Sequence, residues 1–185
     1  YLKEAQAKPV ILFPGNELHI SPDADALLLL SLLSGRNPEL LIGKHVAAAP
    51  ALIRSGLEII PTGYLLVESG KLTSVAYMSH TMPLPREKNE IAVATALAGQ
   101  LLGMQLIYLE AGSGAELPVP VEMIRAVKSQ LSIPLIVGGG ITTEQKFKNA
   151  LEAGADLIVV GDVLEKHPEM LRVFSDCVLE HSLKH

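Results

Sequence analysis

The sequence of 185 residues contains no tryptophan, a single cysteine and only 4% aromatic residues. Scarce aromatic side chains argue against a protein that binds single-stranded nucleic acid, because such proteins stack bases on aromatic rings. The formal net charge of −5 provides no overall positive field to attract DNA or an anionic membrane. Cys177 has no partner for a disulfide, which is typical of a reducing, cytoplasmic location.

Long hydrophobic runs are also missing. The longest run, over residues 26–33, is interrupted by Ser31 and is far too short to cross a bilayer. The first residues do not have the pattern of a signal peptide. With 49% hydrophobic and 19% charged residues, the composition is that of a globular protein and not of a disordered one. We predict a single domain over residues 1–185.

Short apolar segments that end in glycine or polar residues alternate with amphipathic segments, which is the pattern of βα units around a parallel sheet. Strands are predicted at residues 10–13, 25–30, 58–60, 106–110, 135–137 and 157–160. Helices are predicted at residues 38–55, with a break near Pro50, and at 86–102, 120–130, 144–153 and 168–179. Thr142 and Gln145 form a predicted capping box. Gly154 marks a predicted helix end, and Pro134 marks a predicted strand start.

Two segments interrupt this alternation. Only about a dozen residues separate Phe13 from Asp25, too few for a crossover helix, so an extended connection is predicted there. Residues 64–77 carry two apolar runs around Glu68-Ser69-Gly70-Lys71, a pattern that predicts a β-hairpin.

A closed (β/α)8 barrel of the TIM type has eight βα units, and six are recognisable here. Residues 1–8 have the pattern of a helix end followed by a strand. The sequence therefore predicts an α/β fold, a modified TIM barrel made of strands three to eight. In this barrel an extended segment replaces helix 3, and the first two βα units are absent.

Residues 108–114, Tyr-Leu-Glu-Ala-Gly-Ser-Gly, form the end of a predicted strand and a turn. Because side chains alternate along a strand, Tyr108 and Glu110 share one face. Barrel enzymes place their chemistry at the carboxyl ends of the strands. A phenol and a carboxylate that face inward there predict a catalytic or binding site; the alternative is a strand end whose Glu110 turns to solvent.

Three consecutive glycines, Gly138, Gly139 and Gly140, follow the next strand and precede a helix. Backbone N–H groups in such a loop can bind an anion beside a helix start. Gly161 and Asp162 repeat the form after the last strand, and adjacent loops on strands seven and eight would form the phosphate site that recurs in these barrels. The Asp162 carboxylate would repel phosphate, so its backbone N–H is the predicted donor. The alternative is two unrelated turns.

Five other polar or reactive side chains are assigned structural roles. Asp23 and Asp25 lie at a strand start and are predicted to form a turn and a strand entry, not a metal pair. His45 and His80 lack the spacing of metal ligands and are predicted to be structural or surface groups. Cys177 is predicted to pack against its helix's neighbours.

Two cations that follow the predicted hairpin leave two interpretations open. Arg86 and Lys88 could reach a diphosphate group. Equally, both could belong to a solvated helix start. Their side chains would then have no part in the site.

Taken together, these motifs resemble the geranylgeranylglyceryl phosphate synthases and the similar bacterial heptaprenylglyceryl phosphate synthases. The run at 108–115, the run Val137-Gly138-Gly139-Gly140-Ile141 and the pair Gly161-Asp162 match in order, as do Phe13-Pro14-Gly15-Asn16 and Ile60-Pro61-Thr62-Gly63-Tyr64. The resemblance extends from about residue 9 to residue 162. The family's modified barrel also lacks the helix after the first strand recognised here.

The resemblance implies a prenyltransferase that joins sn-glycerol 1-phosphate to a polyprenyl diphosphate, geranylgeranyl above all, as an ether and releases diphosphate. At the positions that match the family's motif, the resemblance implies that Glu110 and Tyr108 are the catalytic residues. The implied substrate-binding residues are Tyr108, Leu109, Glu110, Ala111, Gly112, Ser113 and Gly114 for glycerol, and Gly139, Gly140, Gly161 and Asp162 for its phosphate. Mg²⁺, an apolar groove for the prenyl chain, a homo-oligomer and peripheral membrane contact for product release are further implications.

The family's magnesium-linked Asp lies on the first strand in an Asp-Pro-Asp type motif. This sequence lacks that motif, and Ser21-Pro22-Asp23 lies elsewhere. Metal ligands are therefore expected on the missing first strands and none in this chain. Two other hypotheses are a different phosphate-binding barrel enzyme, such as a sugar-phosphate isomerase or an enzyme of thiamine or amino-acid biosynthesis, and a non-catalytic barrel.

Overall fold

The computed structural model describes residues 8–16 and 19–183. Six parallel strands hydrogen-bond in chain order and curl into part of a barrel. The strands are β1 (Ile11–Leu12), β2 (Ala26–Leu32), β3 (Glu58–Leu66), β4 (Leu106–Glu110), β5 (Leu135–Gly138) and β6 (Leu157–Val159). The predicted α/β fold, a modified TIM barrel, is confirmed. Residues 1–7, predicted to end a helix and start a strand, lie outside the described residues.

The connecting segments are mostly helical. A π-helical turn, Glu39–Gly43, runs directly into the first α-helix. The α-helices are α1 (Lys44–Ser55), α2 (Ser74–Ser79), α3 (Asn89–Leu101), α4 (Val121–Lys128), α5 (Glu144–Glu152), α6 (Asp162–Lys166) and α7 (Met170–Ser182). Within residues 8–16 and 19–183, no helix is long and apolar enough to cross a membrane.

Two predictions about helix boundaries had different outcomes. Gly154 follows α5 with φ +102, which confirms the predicted helix end. The capping box predicted at Thr142 and Gln145 is wrong by one residue. Thr143 has the extended backbone of an N-cap, and its side chain accepts a hydrogen bond from the Lys146 N–H. The side chain of Gln145 instead donates to Asn149, one helical turn further on.

The predicted break near Pro50 is wrong, because α1 continues through this residue. A proline inside a helix leaves the carbonyl four residues earlier without a partner. Val46, which carries that carbonyl, is 67% exposed, so water can satisfy it. The irregular turn lies instead at the start of the helix, where the π-helical turn ends at Gly43.

The predicted hairpin at residues 64–77 is also wrong. Strand β3 continues to Leu66 because Tyr64, Leu65 and Leu66 pair with β4. Leu65 and Leu66 are almost fully buried, so this run belongs to the centre of the sheet. The second run of the predicted hairpin contains an exposed Leu72 and then enters α2.

The connection between β1 and β2 contains no helix among its described residues, in agreement with the predicted extended segment. Asp25 lies at its end, and the Asp25 carboxylate accepts a hydrogen bond from the Val10 N–H at 2.8 Å. Asp23 lies in an exposed turn. Both residues therefore have the turn and strand-entry positions that the sequence predicted.

The two faces of the sheet carry different residues. On the inner face, Leu28, Tyr64, Tyr108 and Ile136 form one buried cluster. On the outer face, residues such as Leu109 pack against the helices in a larger core. Since side chains alternate along a strand, this arrangement places Glu110 on the inner face with Tyr108.

Candidate active site

Glu110 is the last residue of β4, and its side chain is only 5% exposed. Its Oε1 atom accepts a hydrogen bond from the Gly112 N–H at 2.5 Å. Burial raises the pKa of Glu110 above its ordinary value; the interactions with Tyr108 and with the Gly112 N–H oppose this rise, and Asp162 adds to it. The site thus contains a desolvated carboxyl group that holds its proton more tightly than one in water.

The hydroxyl of Tyr108 is buried beside this carboxylate. The two groups are close enough to influence each other's pKa. However, the hydroxyl makes no well-oriented hydrogen bond with any of the residues that the structure describes. A buried hydroxyl without a partner is costly, so this atom is a candidate for contact with a ligand.

Three aromatic rings surround this position. Tyr64 and Tyr108 meet edge to face with centroids 5.3 Å apart, and Phe13 lies 5.5 Å from Tyr108. Burial, reinforced by the charge of Glu110, raises the pKa of both tyrosines well above the ordinary range. Both phenols therefore stay neutral and keep their protons for donation.

The triple-glycine loop packs directly against this segment. Gly139 and Gly140 have φ values of +82 and +69, a region that favours glycine. A Cβ atom on Gly139 would lie 2.7 Å from the Gly112 nitrogen and still closer to the Glu110 carboxylate. Both the conformation and the space therefore require glycine at this position.

The loop after β6 joins the same site. The Ser113 hydroxyl donates to Asp162 Oδ1 at 2.9 Å. A Cβ atom on Gly114 would lie 3.5 Å from Asp162 Oδ2. The carboxyl ends of β4, β5 and β6 are thus brought together, as the glycine motifs predicted.

These loops form the polar end of a cavity of about 900 Å³. The other end is mainly aliphatic and is lined by residues of β2, the π-helical turn and α1, including Leu28, Leu30, Leu40, Ala48 and Leu52. A polar cluster joined to an apolar chamber suits a ligand with an anionic head and a hydrocarbon tail.

Most of the predicted site residues line this cavity, and two do not. The lining includes Tyr108, Glu110, Gly112, Ser113, Gly114, Gly139, Gly140, Gly161 and Asp162. Leu109 and Ala111 are instead fully buried in the core between sheet and helices. Their side chains cannot reach a ligand in the cavity, because they point to the opposite face of the strand, so substrate binding through them is limited to the backbone.

The sequence analysis missed other lining residues. Phe13 and Tyr64 line the cavity, and so does His45, whose Nε2 lies 2.9 Å from the Leu30 carbonyl oxygen. Tyr64 could have been found by continuing the alternation of β3 beyond Ile60. His45 carried no local signal, since its position depends on how α1 packs on β2.

The remaining side chains have structural positions. Cys177 is buried in α7, as predicted. His80 is exposed, and its ring lies beside that of Tyr77. The side chain of Arg86 donates to backbone carbonyls, and that of Lys88 is exposed. Neither cation is among the described residues that line the cavity.

No group of three or more His, Cys, Asp or Glu side chains in the described part of the chain could hold a metal ion. Glu110, Asp162 and Glu165 line the cavity without forming such a group. The described residues therefore contain no metal site built from protein ligands alone.

Comparison with known proteins gives the family. The model of the PcrB family matches residues 2–178. The chain belongs to the PcrB family. Among its relatives, the geranylgeranylglyceryl phosphate synthase of Spirosoma linguale is 56% identical over 179 residues, which cover 97% of this chain and 72% of that protein. The enzyme of the same name from Chitinophaga pinensis is 52% identical and matches over 92% of this chain and 68% of its own length.

A solved structure of another PcrB relative has the same fold. It is the crystal structure of (S)-3-O-geranylgeranylglyceryl phosphate synthase from Thermoplasma acidophilum in complex with its substrate sn-glycerol-1-phosphate. The superposition gives a TM-score of 0.88 at 38% identity and covers 97% of this chain and 72% of that one. The resemblance drawn from the sequence motifs is thereby confirmed.

Proposed function

We propose that this protein transfers a polyprenyl group from its diphosphate to a hydroxyl of sn-glycerol 1-phosphate. The observation that carries the proposal is the buried Glu110 carboxyl group beside the Tyr108 hydroxyl, which makes no well-oriented hydrogen bond, at one end of an otherwise apolar cavity. The names of the relatives support the same reaction, and so does the substrate in the Thermoplasma acidophilum structure.

The glycerol phosphate binds at the polar end of the cavity in this proposal. Its phosphate accepts hydrogen bonds from the backbone N–H groups of Gly139, Gly140, Gly161 and Asp162. Neutral amides suit this task in a chain with net charge −5, because they need no local excess of basic side chains. The Ser113 hydroxyl keeps the Asp162 carboxylate turned toward the neighbouring loop.

The attacking hydroxyl then lies between Tyr108 and Glu110. Tyr108 donates a hydrogen bond to the glycerol moiety, which satisfies its buried hydroxyl. The oxygen attacks the first carbon of the prenyl group, the carbon–oxygen bond to diphosphate breaks, and the hydroxyl proton passes to the Glu110 carboxylate. General-base assistance of this kind contributes roughly 10²–10⁴-fold in rate.

The prenyl chain occupies the aliphatic end of the cavity. Leu28, Leu30 and Leu40 offer apolar surface there. Each buried methylene group contributes about 0.8 kcal/mol of transfer free energy, so a long hydrocarbon tail supplies much of the binding energy. Assays with prenyl diphosphates of different lengths measure which chain the cavity accommodates.

Magnesium enters the proposal only as the ion that accompanies the substrate diphosphate, which is its usual mode of binding in phosphate-transferring enzymes. Titration of the assay with Mg²⁺ and with EDTA measures whether turnover depends on it.

The homo-oligomer and the membrane contact also stay proposals. The side of α1 that carries Val46 and Ile53 is exposed and apolar, which supports self-association. Sedimentation velocity measures the oligomeric state. Flotation with liposomes, with and without the prenylated product, measures membrane contact.

The function is tested by incubating the protein with isotope-labelled geranylgeranyl diphosphate and sn-glycerol 1-phosphate. We expect an ether-linked prenylglyceryl phosphate and released diphosphate. The enantiomer sn-glycerol 3-phosphate serves as a matched control and should react far more slowly. Absence of the ether with diphosphates of ten to thirty-five carbons would reject the proposal and favour another phosphate-binding enzyme or a non-catalytic barrel.

A further inference from the structure

Arg86 lies behind the glycine loops, where its backbone is fixed against the end of β3. The Leu84 N–H donates to the Leu66 carbonyl at 2.8 Å, and the Glu68 N–H donates to the Leu84 carbonyl at 2.9 Å. Residues 84–86 therefore run alongside the chain as it leaves the sheet. This pairing fixes the position of the backbone from which the Arg86 side chain extends.

The guanidinium group of Arg86 joins two loops. Its Nη1 atom donates to the carbonyl of Glu68 at 2.8 Å and to the carbonyl of Pro118 at 2.9 Å. Glu68 belongs to the loop after β3, and Pro118 belongs to the loop after β4. Because the guanidinium group of arginine carries a positive charge, both hydrogen bonds are charge-assisted.

The same two loops touch next to Arg86. The Leu117 N–H donates to the Ser69 carbonyl at 3.1 Å. Gly70 packs against Leu117, since a Cβ atom on this glycine would lie 3.3 Å from the Leu117 side chain. Arg86 thus adds to a contact between the two loops that also involves Ser69, Gly70 and Leu117.

The loop held by Arg86 presses directly on the triple glycine. A Cβ atom on Gly140 would lie 2.9 Å from the Pro118 nitrogen and 3.0 Å from the Leu117 carbonyl carbon. A shift of Pro118 is therefore passed to Gly140, which the proposed function makes a phosphate donor.

The loop after β3 also reaches the site. A Cβ atom on Gly112 would lie 2.7–2.9 Å from three atoms of the Thr73 side chain. Gly112 in turn donates to Glu110. The loops that Arg86 holds therefore contact both the phosphate loop and the segment that carries the carboxylate. Arg86 itself is not among the described residues that line the cavity.

We infer that Arg86 is a positioning residue, which holds the loops after β3 and β4 together and so sets the place of the Gly140 amide and of the Gly112–Glu110 pair. The inference rests on the proposed function in one respect, that glycerol phosphate is the ligand of these loops. Preorganised donors lose much of their effect when they are displaced by about 1 Å. A change at Arg86 should therefore weaken the binding of glycerol phosphate, because the aliphatic end of the cavity is built from other elements.

The test compares Arg86→Met, which keeps the apolar stem but removes all donors, with Arg86→Lys, which keeps the charge but not the planar fork. The probes are inorganic phosphate and sn-glycerol 1-phosphate, each titrated by calorimetry. Steady-state kcat and KM are measured for both substrates, and a thermal melt is recorded for each variant. The matched control is Lys88→Met, which removes one exposed cation two residues further on.

For Arg86→Met we expect the Kd for both phosphate probes, and the KM for glycerol phosphate, to rise by about tenfold or more. The KM for the prenyl diphosphate should change by less than about twofold, since its apolar contacts are unaltered. Arg86→Lys should show a smaller increase in the same constants, and Lys88→Met should behave like the unmodified protein.

Wild-type phosphate affinity in either folded Arg86 variant would overturn the inference, as would equal increases in the KM of both substrates. If Arg86→Met does not fold, Arg86→Lys alone carries the comparison in the same direction. The protein could bind phosphate in a manner that depends on Arg86 and still form no ether product. That result would count against the proposed function and leave the role of Arg86 intact.

Discussion

The Ser113 hydroxyl donates a 2.9 Å hydrogen bond to the Asp162 carboxylate, although the two residues are 49 positions apart. It joins the loop after β4 to the segment that follows β6, and the triple-glycine loop lies between these two positions in the chain. The segments that follow β4 and β6 thus share a direct connection at the mouth of the candidate site.

Removal of this bond should weaken phosphate binding. The contact is exposed and involves one charged partner, so we expect a loss of about 0.5–1.5 kcal/mol, which corresponds to a few-fold to about tenfold increase in the KM for glycerol phosphate. A double-mutant cycle with Ser113→Ala and Asp162→Ala measures it. Simple additivity of the two single effects would contradict a functional link between the residues.

Glu110→Gln should slow turnover strongly and stabilise the protein at alkaline pH. Because the folded-state pKa of Glu110 is raised, the folded protein binds this proton more tightly than the unfolded chain does. Its contribution to stability is therefore present at low pH and is lost as the pH rises through the folded pKa. The glutamine side chain does not ionise, so the variant does not lose this stability as the pH rises.

Thermal melts between pH 4 and pH 9 test this expectation. The glutamine variant should melt above the unmodified protein at alkaline pH and close to it at the acid end. Its kcat should fall by roughly 10²–10⁴-fold. Undiminished turnover would reject the role of Glu110 as a base, and an unchanged pH dependence of melting would contradict its desolvation.

Tyr108→Phe should separate stability from binding. The hydroxyl that this change removes is buried without a well-oriented partner, so we expect the free energy of unfolding to stay the same or to increase. The KM for glycerol phosphate should rise, since the ligand loses a donor. Tyr77→Phe, at an exposed tyrosine, is the matched control and should change neither quantity. A marked loss of stability with unchanged KM would assign Tyr108 a structural role only.

Gly139→Ala should be more costly than the same change at a glycine in open space. Gly103 has φ +90 with nothing within 4 Å of an added Cβ, so Gly103→Ala measures the backbone cost alone, about 1–2 kcal/mol. At Gly139 the Cβ also overlaps Glu110 and the Gly112 backbone, which adds about 1–3 kcal/mol. Urea unfolding of both variants gives the difference. Equal losses would show that the contact between the two loops is looser than described.

Local chemistry explains which parts of this protein could be predicted from the sequence. The alternation of residues 106–110 gave the bounds of β4, and the glycine runs marked the loops that line the cavity. Alternation also placed Glu110 and Tyr108 on one face. These features depend on residues that are close in the chain.

Other features depend on neighbours that are distant in the chain. Tyr64, Leu65 and Leu66 form a strand and not a hairpin because β4 pairs with all three and β2 pairs with Tyr64. Arg86 could bind a diphosphate or lie in water as far as the sequence shows. Its actual partners are two carbonyls, 18 and 32 residues away, which only the folded chain brings within reach.

In the proposed reaction, backbone N–H groups of the loops after β5 and β6 bind the phosphate of the substrate. Titration of ¹⁵N-labelled protein with sn-glycerol 1-phosphate tests it most directly. We expect saturable shifts of the amide resonances of Gly139, Gly140, Gly161 and Asp162, while those of Gly56 and Gly103 stay unchanged. Saturable binding that leaves those four amides unmoved would contradict it.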